Sequence, residues 1–447
     1  SRRDLLIEYY TKENALVAST RLYASKHFKV SLSFDTLAIS FQRAMELEAR
    51  MFFELKWNDA ESSEGKRKAL MDKNYPRYRE APLNNKMILF ESMWGNKYSC
   101  NPRALYEYID KHHPEYECVW SFKDPRTPIV GNGRRVRRGS DEYYKVLAET
   151  KYLVNNVNFE DDYVKREGQI EIQTMHGTPL KTLGLDVVED FPTPDVRENY
   201  IKKNARWDHL IVQGKFMEDL SERCFMFQKN ILRTGYPRTD ILFEKADTTA
   251  IKARLGIPQD KKVLLYVPTW RIRDAFDMQL ELDKMRAALS DEYVLLIRLH
   301  HFCAKGYDIP ADNEFIFDLN KYKSVEDLYK ITDILITDYS SVMFDFALLH
   351  KPILFYAYDI ETYTEDARGV YFDITTEAPG PILYNTDEVV NAILNIDEEM
   401  EKCRERADAF RNKYITYENG DSCKQIVKEV LRPNALVSAF AKLKKKK

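Results

Sequence analysis

From about residue 85 onward, short apolar runs alternate with longer stretches of helical periodicity, and the alternation begins again after about residue 250. The runs of the first series are KMILFES, YECVWSF, KYLVNN, IEIQTM, HLIVQG and ILRTGYP. Those of the second series are KVLLYVP, YVLLIRL, FIFDL, ILITDY and PILFYAY, followed by a helical C-terminal part. Such alternation is typical of parallel β-sheets whose faces are covered by helices. The sequence therefore predicts an α/β fold with two successive sheets.

The length of the chain sets the expected number of domains. At 447 residues it is too long for one ordinary hydrophobic core, so we expect two domains and an appendage. We place the two domains at residues 85–245 and 246–432. They lie between an N-terminal helical region, residues 1–84, and a basic tail, residues 433–447.

The N-terminal region contains one apolar stripe at helical spacing, within the segment SFDTLAISFQRAMELEARMFFELKW, with Ser33 as its cap. The stripe consists of Phe34, Leu37, Phe41, Met45, Phe52 and Leu55. The next segment, residues 65–79, surrounds Tyr75 and Tyr78 with basic residues. It is either a solvated linker or a patch that contacts an anionic lipid surface. The closing KLKKKK leaves two similar interpretations, a frayed end or a lipid-contact segment.

Charge and cysteine content narrow the class of protein. The net charge of −3 argues against a polycation built to bind nucleic acid, so any basic site is local. The six cysteines are scattered without C-x-x-C or zinc spacing, as is typical of reduced cytosolic thiols. No apolar run approaches the ~18–20 residues of a membrane span, and SRRDLLIEYY lacks a signal-peptide core. We therefore expect a soluble or peripheral protein of the cytoplasm.

Residues that follow the predicted strands form the candidate site, because ligands of parallel sheets bind outside the carboxyl ends of the strands. In the first series, IEIQTM is followed by His176, Gly177, Thr178 and Lys181. Arg238 comes directly after ILRTGYP. A glycine beside the histidine permits close approach of a ligand, which favours a functional histidine.

In the second series, hydroxyl and arginine side chains follow three predicted strands at one sheet edge. They are Thr269, Arg271, Arg298, Ser340 and Ser341. Taken alone, the two serines are better explained as helix caps. Their convergence with arginines favours a diphosphate site, since hydroxyls, backbone N–H groups and guanidinium groups all bind phosphate oxygens. The patterns of dinucleotide-binding and P-loop proteins are absent, which argues against a standard NAD or ATP site.

Two histidines, His176 and His300, come from different series and both follow strands. A neutral imidazole can take a proton from a hydroxyl, and an imidazolium can stabilise phosphate charge. The alternative for a lone histidine is a buried, hydrogen-bonded core residue. Of the neighbours His300 and His301, only one can face a cleft. Asp338 is expected to orient the serine turn, whereas Asp333 lies at the other end of the same strand, too far away to form a carboxylate pair.

Six motifs occur together and in a fixed order: LFESMWGNKYSCNPRALYEYI, MHGTPLK, TGYPRTD, YVPTWR, RLH and TDYSSVMFDFALLHKPILFY. With these six motifs, the chain resembles the CDP-glycerol glycerophosphotransferase family, the teichoic acid polymerases and primases. The resemblance covers about residues 85–430. The resemblance implies two Rossmann-like domains in a GT-B-like arrangement. Residues 85–245 would bind the acceptor, and residues 246–432 would bind the CDP-alditol donor.

The resemblance also implies a reaction. Glycerol phosphate or ribitol phosphate would pass from CDP-glycerol or CDP-ribitol to the terminal hydroxyl of a lipid-linked, undecaprenyl-type poly(alditol phosphate) acceptor, with release of CMP. The enzyme would act as a peripheral protein on an anionic membrane surface, the cytoplasmic face of the bacterial cell membrane. No cofactor and no protein-bound metal site are expected, and no nucleic acid partner. The alditol, a role as primase, polymerase or capsule enzyme, the oligomeric state and the need for a divalent metal stay open.

Roles for individual residues follow from the same resemblance. The family's two functional histidines correspond to His176, the candidate general base or acceptor-positioning group, and His300. Donor binding is implied for Thr269, Arg271, Arg298, Asp338, Ser340 and Ser341. Gly177, Thr178, Lys181 and Arg238 are candidate contacts of the acceptor or of phosphate. The chain departs from the family at His301, where proline is common.

Other functions are compatible with the same pattern of residues. A GT-B glycosyltransferase would use a nucleotide-sugar donor and release a nucleoside diphosphate, and a sugar-nucleotide epimerase is a more distant variant. A non-catalytic scaffold would bind the membrane through its helical arm and basic tail. Release of CMP distinguishes the phosphotransferase from all of these.

Overall fold

The computed structural model describes residues 3–10, 16–24, 38–42, 52–56, 63–161, 163–269, 277–299, 307–322, 324–361, 363 and 369–432. The chain divides into two compact units, Ser1–Pro76 and Arg77–Lys447. Both of the parallel sheets expected from the alternating apolar runs belong to the second unit.

The described part of the N-terminal region contains two antiparallel strand pairs and a helix. Strand β1 (Arg3–Tyr10) pairs with β2 (Leu16–Ala24), and β3 (Ala38–Gln42) pairs with β4 (Phe52–Lys56). Helix α1 (Ser63–Tyr78) follows and includes most of the basic segment that was expected to be a linker or a lipid patch.

The prediction of a helical N-terminal region is therefore confirmed at α1 and wrong for the described parts of the apolar stripe. Phe41 of β3 lies opposite Phe53 of β4 in an antiparallel ladder. Each strand contains two residues of the aromatic or β-branched types that favour strands, Ile39 and Phe41 in AISFQ and Phe52 and Phe53 in FFELK. Helical spacing is a local pattern, so it does not reveal pairing between two separate segments.

The first parallel sheet has seven strands in the order β11-β10-β9-β8-β5-β6-β7. Its strands are β5 (Asn84–Glu91), β6 (Glu117–Phe122), β7 (Arg134–Arg137), β8 (Thr150–Asn155), β9 (Ile170–Gln173), β10 (His209–Ile211) and β11 (Asn230–Leu232). The chain winds outward from β5 in one direction and then from β8 in the other. The carboxyl ends of β5 and β8 therefore form the crevice at which such sheets bind ligands.

The second sheet has six parallel strands in the order β14-β13-β12-β15-β16-β17. They are β12 (Lys262–Val267), β13 (Tyr293–Ile297), β14 (Ile316–Asp318), β15 (Ile334–Thr337), β16 (Ile353–Tyr356) and β17 (Ile382–Leu383). This is the strand order of a Rossmann fold, and its crevice lies between β12 and β15. The predicted α/β class with two parallel sheets is confirmed.

Helices of the second unit connect the strands of both sheets. Those between strands of the first sheet are α2 (Cys100–His112), α3 (Asp141–Glu149), α4 (Pro194–Asn204) and α5 (Lys215–Phe225). The later helices are α6 (Thr248–Leu255), α7 (Leu282–Leu289), α8 (Val325–Ile331), α9 (Val342–Phe346), α10 (Ile374–Glu377), α11 (Thr386–Leu394), α12 (Ile396–Tyr414) and α13 (Ser422–Ile426).

Burial on both faces explains why the strands read as continuous apolar runs. In β12, Val263 and Leu265 belong to one buried cluster, whereas Leu264 and Tyr266 belong to another on the opposite face. In the two parallel sheets, the strands that the sequence did not predict are β7 and β17, which are edge strands. With the sequence RRVR, β7 has a single apolar residue, because an edge strand buries less of its surface.

The C-terminal end of the described chain returns to the first sheet. Cys423, Ile426, Val427 and Val430 all belong to the buried cluster that covers this sheet. Residues assigned from the sequence to the second domain thus contribute to the core of the first. The predicted domain boundaries stay predictions.

Candidate active site

His176 lies in the loop after β9, at the carboxyl edge of the first sheet, and its side chain is exposed. Its Nδ1 lies 3.0 Å from the main-chain oxygen of Asn156. Since a carbonyl oxygen can only accept, Nδ1 carries the hydrogen and the neutral imidazole keeps a free electron pair on Nε2. The pKa of His176 is lowered, mainly because the surrounding protein displaces water from the ring. The hydrogen bond to the Asn156 carbonyl raises the pKa, and the positive charge of Arg238 lowers it. The histidine is therefore arranged to accept a proton at neutral pH.

Asn156 holds the loops at the ends of three strands. Besides the main-chain bond to His176, its side-chain Oδ1 accepts a hydrogen bond from the N–H of Met93 at 2.9 Å. Its Nδ2 donates to the hydroxyl of Ser92 at 3.2 Å. Asn156 is 1% exposed, so these bonds are protected from water. The position of His176 is consequently coupled to the turn that follows β5.

The two sheets meet at Gly177. A Cβ atom placed on this glycine would lie 3.7 Å from the hydroxyl of Ser341 and 3.9 Å from Nη2 of Arg238. Ser341 is exposed and follows β15 of the second sheet. The histidine loop of one sheet and the serine turn of the other therefore lie against each other at Gly177.

Arg238 links the two sheets directly. Its Nη1 donates to the main-chain oxygen of His176 at 2.7 Å, while Nε and Nη2 donate to the two carboxylate oxygens of Asp345 at 3.0 and 2.8 Å. Asp345 belongs to α9, the helix that Ser340 and Ser341 precede. The guanidinium is thus engaged with protein groups on both sides of the cleft.

Thr178 is buried at 1% exposure and also belongs to this connection. Its hydroxyl donates to Oε1 of Gln213 at 2.6 Å, and Nε2 of Gln213 donates to Oδ1 of Asp345 at 3.3 Å. The hydroxyl of Thr178 therefore points into the protein. Among the candidate phosphate contacts of this loop, only Gly177 lies against the serine turn.

Lys181 contacts the chain between β16 and β17 of the second sheet, away from the serine turn. It forms an antiparallel bridge with Val370, and its ammonium lies 4.9 Å from the ring centre of Tyr363. The adjacent Thr182 donates its N–H to the oxygen of Gly369 at 3.0 Å. Lys181 thus belongs to a second connection between the two halves.

Thr269 and Asp338 lie together at the crevice of the second sheet, where β12 and β15 end. The N–H of Thr269 donates to both carboxylate oxygens of Asp338 at 2.8 and 3.0 Å, and its hydroxyl lies 2.5 Å from Oδ1. Asp338 is 2% exposed. This buried carboxylate therefore holds the loop after β12 against the serine turn.

Three other candidates of the second sheet differ in their placement. The N–H of Val342 lies 3.4 Å from the hydroxyl of the half-buried Ser340, which acts as a weak cap, while Ser341 is exposed. Nη1 of Arg298 donates to the main-chain oxygens of Tyr322 and Leu319, so the guanidinium is hydrogen-bonded to the loop after β14. Arg271, His300 and His301 lie outside the described residues.

Sequence reasoning missed three side chains that organise this site. Asn156 directly follows β8, and the rule that drew attention to strand ends would have found it. Asp345 is a lone acid in the apolar helix VMFDF, which is the usual signature of a buried partner for a cation. Asn101 donates to the oxygens of Thr174 and Met175 at 2.8 and 3.0 Å, and no sequence pattern marks it.

The described residues contain neither a cluster of metal ligands nor a membrane-spanning helix. They contain no group of three or more His, Cys, Asp or Glu side chains placed to hold a metal ion. No described helix is both long enough and apolar enough to cross a membrane.

Two Rossmann-type sheets whose crevices face each other across a histidine loop and a serine turn define a GT-B-like α/β protein. The chain belongs to the CDP-Glycerol:Poly(glycerophosphate) glycerophosphotransferase family, whose pattern matches residues 74–432. The family inferred from the six motifs is thereby confirmed.

Relatives in this family have similar sequences. The chain is 38% identical over 367 residues to a teichoic acid poly(glycerol phosphate) polymerase of Bacillus subtilis, an alignment that covers 78% of this chain and 49% of that protein. It is 37% identical over 368 residues to the protein of the same name from Bacillus spizizenii, covering 78% and 93%. The chain thus spans about half the length of the B. subtilis relative, and 51% of a Staphylococcus epidermidis relative.

Solved structures of the wall teichoic acid polymerase TagF share the fold. One matches with a TM-score of 0.74 at 35% identity, covering 81% of this chain and 94% of that chain. A histidine variant of TagF soaked with CDPG matches with a TM-score of 0.73 at 33% identity, covering 81% and 95%.

Proposed function

We propose that the chain transfers glycerol phosphate, or ribitol phosphate, from a CDP-alditol to the terminal hydroxyl of a lipid-linked teichoic-acid-type acceptor and releases CMP. Membership in the family and the poly(glycerol phosphate) polymerases among its relatives support glycerol. A teichoic acid poly(ribitol-phosphate) polymerase of Bacillus spizizenii, 32% identical over 379 residues, supports keeping ribitol as the alternative.

The observation that carries this proposal is the tautomer of His176. Because Nδ1 donates to the Asn156 oxygen at 3.0 Å, Nε2 is the acceptor atom of the ring. The exposed side chain lies beside Gly177, and Gly177 lies against Ser341 of the other sheet. A general base for a hydroxyl needs this combination of a free electron pair and access to a second bound substrate.

In the proposed reaction, the acceptor hydroxyl oxygen attacks the donor phosphorus that bears the alditol. A new P–O bond forms, and the bond from this phosphorus to the bridging oxygen of CMP breaks. The electron pair leaves with CMP, and the hydroxyl proton passes to Nε2 of His176. Phosphoryl transfer of this kind depends mainly on positioning and on stabilising charge at the phosphate oxygens.

The donor diphosphate would bind at the crevice of the second sheet. Ser341 presents an exposed hydroxyl there, and Asp338 holds Thr269 in place beside the serine turn. Ser340, Arg271, Arg298 and His300 complete the proposed set, with His300 and Arg271 stabilising charge on the diphosphate. Gly177 would contact the acceptor, while Thr178, Arg238 and Lys181 would keep the two halves in register.

The acceptor would be a lipid-linked poly(alditol phosphate), and the protein would work as a peripheral enzyme on the cytoplasmic face of the cell membrane. The teichoic acid polymerases among the relatives support the acceptor class. Lys73 and Arg77 of α1 are exposed, which is compatible with an anionic surface, whereas the ring of Tyr75 is buried at 4% exposure.

The test is mass spectrometry of the nucleotide released when the chain meets CDP-glycerol or CDP-ribitol with a glycerol-phosphate acceptor. Wild type should release CMP only when the acceptor is present, and the faster donor identifies the alditol. His176→Ala should lower the rate of CMP release by about 10²–10³. A larger loss would also agree with the role of His176 as general base. His112→Ala, which removes an exposed histidine at the end of α2, is the matched control.

Normal turnover by His176→Ala would contradict the role of the base. Absence of CMP from both donors with folded protein would contradict the reaction itself. Release of a nucleoside diphosphate from a nucleotide sugar would then support the glycosyltransferase.

A further inference from the structure

The turn after β5 has an unusual backbone. Met93, Trp94 and Gly95 have successive φ angles of 48°, 54° and 73°, all in the left-handed region. Two of the three residues are not glycine, and side chains with a Cβ are strained in this region. Strained backbone persists only where its surroundings enforce it, and it concentrates at functional sites.

Surrounding groups enforce this turn from both ends. The N–H of Met93 donates to Oδ1 of Asn156 at 2.9 Å, and the oxygen of Gly95 accepts from the N–H of Lys123 at 2.8 Å. A Cβ at Gly95 would lie 3.1 Å from both the N atom of Lys123 and Cδ of Arg138, so glycine is needed for close packing. The middle residue, Trp94, is therefore held at a defined place.

This arrangement exposes a large aromatic side chain. Trp94 is 51% exposed, whereas Trp120 on the neighbouring strand β6 is 0% exposed. Trp94 belongs to none of the buried clusters that form the core. A strained, well-anchored turn that presents tryptophan to solvent is typical of a binding surface.

Positive charge accompanies the indole. Lys97 lies three positions further along the chain, and Lys123 is bonded through its main chain to the same turn. Both lysines are exposed. Within the part of the chain that the structure describes, neither forms an ion pair with a carboxylate. An exposed aromatic side chain on a turn that also carries exposed lysines suits a ligand that combines C–H groups with phosphate.

We propose that Trp94 binds the alditol phosphate chain of the acceptor, next to the hydroxyl that attacks, an inference that rests on the proposed function. The indole face would cover the C–H groups of one alditol unit, its N–H would donate to a phosphate oxygen, and Lys97 and Lys123 would neutralise neighbouring phosphates. Asn156 connects the turn of Trp94 to His176, because it forms hydrogen bonds with both Met93 and His176.

The position of the turn favours the acceptor over the donor. It follows β5, at the crevice of the first sheet, and is anchored to the histidine loop rather than to the second sheet. The residues proposed to hold the diphosphate all follow strands of the second sheet. A single bound chain could therefore contact Trp94 and place its terminal hydroxyl at Nε2 of His176.

The experiment measures KM for a water-soluble glycerol-phosphate oligomer and for CDP-glycerol separately, with CMP as the product. Trp94→Ala should raise KM for the oligomer about tenfold and leave KM for CDP-glycerol unchanged. Trp94→Phe should lie between wild type and alanine. Alanine is chosen over glycine because glycine would relax the left-handed turn. Tyr384→Ala, which removes an aromatic side chain that is also 51% exposed, is the control.

Unchanged KM for the oligomer in Trp94→Ala would overturn the proposal, and so would a rise in KM for CDP-glycerol alone. A defect seen only with a lipid-linked acceptor in vesicles, and not with the soluble oligomer, would also overturn it and assign Trp94 to the membrane surface. Absence of acceptor-dependent CMP from wild type would instead contradict the proposed function, so the two failures are distinguishable.

Discussion

The guanidinium of Arg238 donates to both carboxylate oxygens of Asp345, at 3.0 and 2.8 Å, and also to the main-chain oxygen of His176 at 2.7 Å. The side chains of the ion pair are only 11% and 12% exposed. Water and salt therefore screen it weakly. Because Arg238 belongs to the first sheet's half and Asp345 to α9, this pair sets the distance between the histidine loop and the serine turn.

Asp345→Asn should reduce both stability and activity. The substitution leaves Arg238 buried without its counter-charge, which typically costs about 3–5 kcal/mol in the free energy of unfolding. It also loosens the anchor of His176, so kcat should fall while the fold is retained. Denaturant unfolding and CMP release under the same buffer conditions measure the two effects.

A double variant separates stability from positioning. Arg238→Met with Asp345→Leu replaces the pair by apolar side chains and should recover much of the lost stability without recovering kcat. Asp124→Asn, which breaks the exposed pair with Arg126, should change neither quantity appreciably. Full activity of the double variant would mean that the pair serves stability alone.

The activity should depend on pH through His176. The lowered pKa of this residue keeps the imidazole neutral, and a base works only in its neutral form. We therefore expect kcat/KM to be constant near pH 7 and to fall as pH drops through that lowered pKa. Since the charge of Arg238 contributes to lowering it, the acidic limb of the Arg238→Met, Asp345→Leu variant should move to higher pH. A limb that stays in place would contradict this account.

Asp338→Asn should weaken donor binding. The carboxylate accepts the N–H of Thr269 through both oxygens, and an amide offers only one acceptor and no charge. Charge-assisted bonds contribute about 1.5–3 kcal/mol, so KM for the CDP-alditol should rise about tenfold or more. KM for the acceptor should not change.

Asp333→Asn is the matched control for this substitution. Asp333 accepts the N–H of Val263 at 2.7 Å, an equivalent bond at the opposite ends of the same two strands. It should cost stability of a similar order and leave both KM values unchanged. Equal effects of the two substitutions on KM for the donor would argue against a role of Asp338 at the donor site.

Glu418 should make the stability of the protein depend on pH. Burial is the main cause that raises its pKa to about 8. The hydroxyl of Thr239 lies 2.6 Å from the oxygen of Tyr236 and 2.7 Å from Oε2 of Glu418. The hydroxyl of Thr239 and the N–H of Tyr236 both donate hydrogen bonds to this carboxyl group, and these bonds oppose the effect of burial on its pKa.

Between the ordinary pKa of glutamate and about 8, the folded protein therefore keeps a proton that the unfolded chain has released. Stability consequently falls as pH rises through this window. Glu418→Gln removes the titration, so the free energy of unfolding of wild type, relative to the variant, should be greater near pH 5 than near pH 8 by roughly 2–4 kcal/mol. An identical pH dependence of the two proteins would contradict a protonated Glu418.

Much of the site could be predicted because it depends on where strands end. His176, Thr269, Asp338 and Ser341 all follow apolar runs, and the structure places each of them at the carboxyl edge of its sheet. Partners of these residues were harder to predict. Thr178 and Arg238 were expected to contact phosphate, yet both side chains are engaged with protein groups, and their partners lie far away in the chain.

The N-terminal region illustrates the limit of local patterns. Apolar spacing between Phe34 and Leu55 matches a helix, whereas β3 and β4 form an antiparallel ladder. Residues within one helix contact their neighbours in the chain, so the spacing of apolar residues can indicate a helix. A strand is stabilised by another strand, and the same spacing contains no information about that partner.

The amino-acid sequence by itself determined the two parallel sheets, the order of the motifs and the strand ends that carry the candidate residues. It could do so because burial on both faces requires continuous apolar runs, and because parallel strands align their carboxyl ends at one edge. Only the tertiary structure decided that Asn156 orients His176, that Asp345 engages Arg238 and that Gly177 faces Ser341. These relationships join residues from different strands, and their distances depend on how the two sheets pack.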